Sequence, residues 1–274
     1  MPAPKTRARP KPPRRTAGGS RAGAERGRSS WEQVANWYDA TVGIRGSPHH
    51  RKVAIPTVMR LADPRAGELL LDVGCGQGVL AHHVLKAGAG YLGVDASAAM
   101  IRHARKRREG VNFEVGDARD LTGTTSVEPG SCHVVVFLLS VQDMDPLPQV
   151  MASAADALAP GGRLVLFMVH PAFRPPRASG WGFDQQRKLT YRRIERYLTP
   201  SAVPMKEYVE VGAGPRGATI SFHRPLQEYF AAITAAGLVV DALEEFPDPV
   251  GEEHEKGSGE IPLFLALRAR RLAR

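Results

Sequence analysis

Four residues at alternate positions, Asp72, Gly74, Gly76 and Gly78, offer the clearest chemistry in this chain. They close an apolar run that begins at Leu69, and a short run of that kind bounded by a glutamate and glycines fits a strand buried on both faces. The glycines then fall where strand turns into helix. Lacking a Cβ, they tolerate φ > 0 and let a ligand approach the main chain, while the next helix points its free N–H groups at that ligand. A dinucleotide fingerprint would place its third glycine at position 79, which is Val79, so the spacing argues against NAD. Asp72, two residues ahead of the first glycine, would repel a pyrophosphate but receive a cationic or amino-bearing ligand. Asp95, at the end of the next apolar run, stands where a carboxylate accepts hydrogen bonds from ribose hydroxyls.

The elements that must position these groups alternate helix and strand. Ser29 and Ser30 are N-cap candidates for a helix carrying Trp31, Val34, Trp37 and Tyr38 on one face, and Ser47-Pro48 opens a second helix toward Leu61. After the glycine turn, residues 79–87 are helical and residues 91–95 form the second strand. Ser97 caps a helix with Met100, Ile101 and Ala104 on one side and a basic cluster, Arg102 to Arg108, expected on a solvated face. Residues 111–115, 133–139 and 163–169 read as strands three to five, with a helix over 148–158 that stops at Pro160-Gly161-Gly162. A helix to Ala236 and strands over 238–245 and 261–269 follow. Residues 170–225 interrupt this alternation with prolines, aromatics and seven basic residues between Arg174 and Arg196. Following strand five, with His170 at its tip, the insertion should arch over the strand ends where open α/β sheets bind ligands. Trp181 could then wall a substrate pocket and Arg174 hold an anionic group, although such residues also build small packed subdomains.

Asp72-x-Gly74-x-Gly76-x-Gly78 resembles motif I of the class I S-adenosylmethionine (SAM) dependent methyltransferases. The resemblance extends through Asp95, Gly116-Asp117-Ala118 and the turn Leu158 to Leu164, and covers roughly residues 31 to 270. The segment His170 to Pro176, with Gly180-Trp181 and Phe222 to Leu226, resembles a bacterial group of Methyltransf_11-like proteins. What it implies is a Rossmann-like α/β fold: one mostly parallel seven-stranded sheet in the order 3-2-1-4-5-7-6, helices on both faces and an inserted cap. It also implies SAM as cofactor, held by Asp72, Gly74, Cys75, Gly76, Gly78, Asp95, Ala96, Asp117, Ala118 and Leu139, with Asp117 at the adenine amino group and the Ala118 backbone at the ring. The leading helices would lie over the site as a lid that brings in Tyr38, and residues 139–144, Gln142 among them, would border the methyl acceptor. The Asn-Pro-Pro-Tyr or Asp-Pro-Pro-Tyr sequence of many amino-group nucleic-acid methyltransferases is missing there.

The activity so implied is methyl transfer from SAM to an oxygen, nitrogen or carbon of a small-molecule acceptor. A sulfonium methyl is already electrophilic, so the protein's main work is to align the acceptor and exclude water. If the acceptor must lose a proton, His170 or His223 can take it; each is equally readable as a hydrogen-bonded packing residue.

Charge and composition bound the rest. Of the net charge of +9, a balance of +8 sits in residues 1–28, which hold nine Lys or Arg against Glu25. That stretch has almost nothing apolar to bury, so it is expected to be a disordered basic tail ahead of one methyltransferase domain over residues 29–274. An RNA or protein methyltransferase using this tail and the basic insertion is the alternative, and a SAM-binding protein without catalysis is a third reading. Cys75 and Cys132 have neither a metal-ligand spacing nor a disulfide framework. With no apolar run long enough to cross a bilayer and no signal-peptide segment, the chain is expected to be cytoplasmic, with no membrane partner. The acceptor and the oligomeric state stay open.

Overall fold

Alternation of side chains across each strand puts Leu70 on one face of a central sheet and Leu71 on the other, and both are fully buried, which requires helices on both sides. The computed structural model describes residues 31–205, 219–250 and 259–273. The expected tail, residues 1–28, lies outside the described residues, as do Ser29 and Ser30. In chain order the elements are α1 (Ala35–Val42), a π-helical turn (His50–Ala54) continuous with α2 (Ile55–Ala62), β1 (Leu69–Val73), α3 (Ala81–Lys86), β2 (Gly90–Asp95), α4 (Ala98–Arg107), β3 (Asn112–Val115) and α5 (Leu121–Thr124). Then come β4 (Cys132–Leu138), a 3-10 turn (Val141–Asp143), α6 (Leu147–Ala157) and β5 (Leu158–Val169). The insertion contributes β6 (Ser179–Asp184), β7 (Leu189–Ile194), β8 (Ser201–Met205) and β9 (Thr219–His223), and α7 (Leu226–Ala235), β10 (Leu238–Phe246) and β11 (Phe264–Arg271) follow.

The main sheet has seven strands in the order β10-β11-β5-β4-β1-β2-β3. Two hairpins, β6–β7 and β8–β9, stand between β5 and β10 in the sequence, so counting only the main sheet's strands gives the expected 3-2-1-4-5-7-6. β1 to β5 pair in parallel, and β11 runs antiparallel to both β5 and β10. One core layer packs Leu71, Val135 and Phe137 against α6 and α7; the other packs Leu70, Val134, Val136 and Phe167 against α2 and α3. β5 is longer than expected, because Leu158 already pairs with Cys132 and a register shift at Cys132/Val134 absorbs the Pro160-Gly161-Gly162 bend. No helix among the described residues is long and apolar enough to cross a membrane.

Two polar ties hold the helical layer to the sheet. Arg163 of β5 is buried: its guanidinium donates to the Ala62 and Asp63 carbonyls at the end of α2 and to both Glu68 oxygens at 2.6 and 2.9 Å. Of the basic cluster on α4, Arg102, Arg105 and Lys106 are exposed as expected, while two members clamp the N-terminal segment: Arg107 pairs with Asp39 at 2.7 Å, and His103 meets Asn36 at 2.9 Å. Glu32 completes that clamp by accepting from Ser97 Oγ at 2.6 Å and Ala99 N at 3.0 Å, a carboxylate at the N-terminus of α4 where free N–H groups favour it.

Arg163→Ala leaves Glu68 and two helix-end carbonyls without their donor. The expected cost is about 2–4 kcal/mol, below the usual figure for a broken buried pair because Glu68 keeps some contact with water. Urea denaturation measures it, and a loss under about 1 kcal/mol would show that water replaces the guanidinium.

Candidate functional site

The turn after β1 is stitched to β2: Gly74 N and Cys75 N both donate to the Val94 carbonyl, at 2.7 and 3.1 Å. Gly74, Gly76 and Gly78 all have positive φ, as a turn this tight requires, but each has its own neighbour. A Cβ on Gly74 would stand 2.5 Å from Ser140 Cβ, and one on Gly78 would stand 2.6 Å from the Phe113 ring, so these two admit close packing. A Cβ on Gly76 would meet only Tyr38, at 3.8 Å, because Gly76 faces open space.

That space is a cavity of about 1200 Å³ at the C-terminal ends of the parallel strands. Its lining includes Asp72, Gly74, Cys75, Gly76, Asp95, Ala96, Asp117 and Ala118 from the tips of β1 to β3. It also includes Leu139, Gln142, Asp143, Arg174 and the β9 residues Ser221 and His223, together with Trp31 and Tyr38, which stand edge to face at 5.1 Å. Gly78 is not among the lining residues, which corrects the expectation that it meets a ligand: its bare α-carbon makes room for Phe113.

The acidic residues are arranged unequally. Asp72 is buried and accepts from Tyr91 Oη at 2.7 Å, while its Oδ1 has no partner among the described residues. Burial pushes its pKa up to about 7, with the Tyr91 bond opposing and the Asp95 charge adding to the rise. Asp95 accepts from Gly76 N at 3.0 Å and Ser97 N at 2.8 Å; burial raises its pKa, and these two bonds restrain the rise. Asp117 is held by Arg119, whose hydrogen bond chiefly lowers its pKa, so the carboxylate expected at an adenine amino group is already engaged by a second cavity residue. Gln142 donates from Nε2 to the Leu139 carbonyl at 2.7 Å and leaves Oε1 without a partner among the described residues.

The two histidines part company. His223 lines the cavity, and its Nε2 lies 2.8 Å from the Tyr197 carbonyl, which makes that nitrogen the protonated one in the neutral ring and leaves the lone pair on Nδ1. His170 does not line it: Nε2 lies 2.6 Å from Glu245 on β10, and Nδ1 accepts from Ala172 N and Phe173 N. Both of its nitrogens are used in holding the start of the insertion, so the expectation of a base at His170 is corrected. Trp181 also lies off the cavity lining, on the β6–β7 hairpin, with the Arg174 and Arg192 guanidinium carbons 5.7 and 5.3 Å from its ring centre. The cap's contribution to the cavity comes from the β8 and β9 strands, from Arg224 just after them, and from Pro171, Arg174 and Pro176 at the start of the insertion.

Residues 70–162 match the model of a methyltransferase domain. Over 233 residues, covering 79% of this chain and 94% of its relative, the chain is 31% identical to a dTDP-3-amino-3,4,6-trideoxy-alpha-D-glucopyranose N,N-dimethyltransferase of Streptomyces venezuelae. It is 33% identical to a nocamycin O-methyltransferase of Saccharothrix syringae, over 57% of this chain and 55% of that one. Among solved structures, a SAM-dependent methyltransferase of Mesorhizobium loti superposes with a TM-score of 0.67 at 24% identity, over 84% of this chain and all of the other.

The raised pKa of Asp72 has a consequence for stability. Between its unfolded value near 3.8 and its folded value of about 7 the native state binds the extra proton, so this group's contribution to stability falls as pH rises through that window. Asp72→Asn, an isostere of the neutral acid, is therefore expected to melt above wild type at about pH 8, and by a clearly smaller margin at about pH 5, where only the first part of that window has been crossed. Thermal melts at both pH values check it, and an equal difference at each would mean that Asp72 stays ionised throughout.

Proposed function

The chain belongs to the class I SAM-dependent methyltransferases, and from that premise we propose that it transfers the methyl group of SAM to an oxygen or nitrogen atom of a small-molecule acceptor. The carrying observation is the cavity, one continuous space lined by the glycine turn, the end of β4, Trp31, Tyr38 and β9. Its volume of about 1200 Å³ exceeds the common range for a single ligand and suits a cofactor with a small acceptor beside it. Relatives named as N- and O-methyltransferases of small molecules support the same reading over an RNA or protein substrate.

The residues at the tips of β1 to β3 fit the cofactor. The unpartnered Oδ1 of Asp72 suits the amino group of the methionine part, and the bare face of Gly76 lets the main chain approach it. Asp95 keeps a lone pair on each oxygen beyond its two backbone bonds, enough to accept from ribose hydroxyls. Asp117 and Ala118, which line the cavity, would meet the adenine, with Arg119 sharing the Asp117 carboxylate. The cofactor supplies a methyl group on positively charged sulfur. The chain supplies alignment: Leu139, Gln142 and His223 border the space that an acceptor would fill, and Tyr38 with Trp31 excludes water from it.

Incubation with methyl-labelled SAM and a fractionated extract of the native source tests the reading. Label is expected in a small-metabolite fraction; label in RNA or protein, or none transferred, would overturn it. Asp95→Ala and Gly76→Val should each weaken SAM binding about tenfold or more in a folded protein, one by removing acceptors and the other by filling the approach. Calorimetric titration measures both, and unchanged affinity in either would displace that residue from the cofactor site.

A further inference from the structure

Resting on the methyltransferase reading, we propose that Asp143 takes the proton from the reacting O–H or N–H of the acceptor, and hence that the acceptor atom carries a proton to lose. Asp143 is the last residue of the 3-10 turn that follows β4, and it lines the same cavity as the residues that fit the cofactor. Two donors from outside the main sheet fix its carboxyl group. Trp31 Nε1, ahead of α1, donates to Oδ2 at 3.1 Å, and the Ser221 hydroxyl on β9 is a second hydrogen-bond partner.

Its surroundings make it a base rather than a structural anion. Among the described residues Asp143 forms no ion pair; the nearby guanidinium of Arg224 directs its Nη2 at Asp145, at 2.7 Å, and at the Met144 carbonyl, and pairs with no oxygen of Asp143. The titratable and charged groups around it are Asp95 across the cavity, Asp145 and Arg224 beyond Met144, Tyr229 on α7 and His223 two residues along β9 from Ser221. None of these neutralises it. Burial raises its pKa to about 7 against the pull of Trp31 and Ser221, and Asp95 adds to the rise. A carboxylate so tuned is ionised at slightly alkaline pH and still basic enough to hold a proton.

The proton balance is complete within the site. As the acceptor's lone pair forms its bond to the methyl carbon, the methyl–sulfur bond breaks with its electron pair left on sulfur, and the acceptor's proton passes to the Asp143 carboxylate. That proton then leaves to water when products depart. His223, with its Nε2–H fixed on the Tyr197 carbonyl, takes no part in this transfer and need not change protonation state.

The test uses the full chain as wild type, Asp143→Asn and Asp143→Glu. Initial rates of label transfer from SAM into the small-molecule fraction are read between about pH 5.5 and 9, beside SAM affinity by calorimetry. Asp143→Asn should bind SAM within about twofold of wild type, lose roughly 100-fold or more in rate, and lose the rise of rate with pH through about 7. Asp143→Glu should recover part of the rate with a displaced pH limb. A wild-type rate and pH profile in Asp143→Asn would overturn the proposal, as would equal losses of rate and SAM affinity, the mark of a purely structural latch. Should wild type label no small-molecule fraction, the functional reading falls by itself. The titration of Asp143 that the proposal requires is read separately, from Trp31 fluorescence in a Trp37→Phe, Trp181→Phe background. An inflection near neutral pH that Asp143→Asn abolishes supports it, and a flat titration overturns it.

Discussion

The shared carbonyl of Val94 is the contact on which the rest of the site depends. By accepting from both Gly74 N and Cys75 N it fastens the turn after β1 to the last residues of β2, and it thereby sets Gly76 N against the Asp95 carboxylate. The same turn brings Gly74 against Ser140, whose hydroxyl donates to the Val73 carbonyl, so the end of β4 is fixed to the end of β1. Three strand ends are thus held in register by backbone groups and one serine before any long side chain is placed. Precision at the cavity comes from the main chain, which loses little flexibility there because it is anchored at each step.

Burying two carboxylates side by side is the cost of that arrangement. Burial raises the pKa of both, the Asp95 charge adds to the rise at Asp72 and the Glu32 charge to that at Asp95, and the Tyr91 hydroxyl and two backbone N–H groups offset only part of it. A ligand that brings a positive or amino-bearing group relieves the excess, so affinity and apo stability pull in opposite directions at these positions.

Legibility in the sequence followed how local each signal was. β1 with its glycine turn, Asp95 and Asp117 at strand tips, the Ser97 cap and the seven-strand order depend on neighbours a few residues away and on one apolar period, and they stand as expected. His170 did not, because the partner that engages it, Glu245, lies 75 residues on and on another strand. Trp181 was a reasonable pocket wall by type, yet the β6–β7 hairpin stacks it with Arg174 and Arg192 off the cavity lining. Gly78 shared the motif's spacing with Gly76 but faces Phe113, a difference that no sequence pattern carries. Asp143 was visible only as one of several polar residues after β4; its distinction comes from Trp31 and Ser221, which belong to the two segments outside the main sheet.

The bond between Trp31 and Asp143 spans 112 residues of sequence. Trp31 is made long before its partner, and Glu32 beside it must await Ser97 and Ala99 of α4. Closing so long a loop repays its entropy only once the turn after β4 exists, and that turn in turn needs β4 paired with β1. The segment that carries Trp31 therefore completes its contacts only once the turn after β4 is in place.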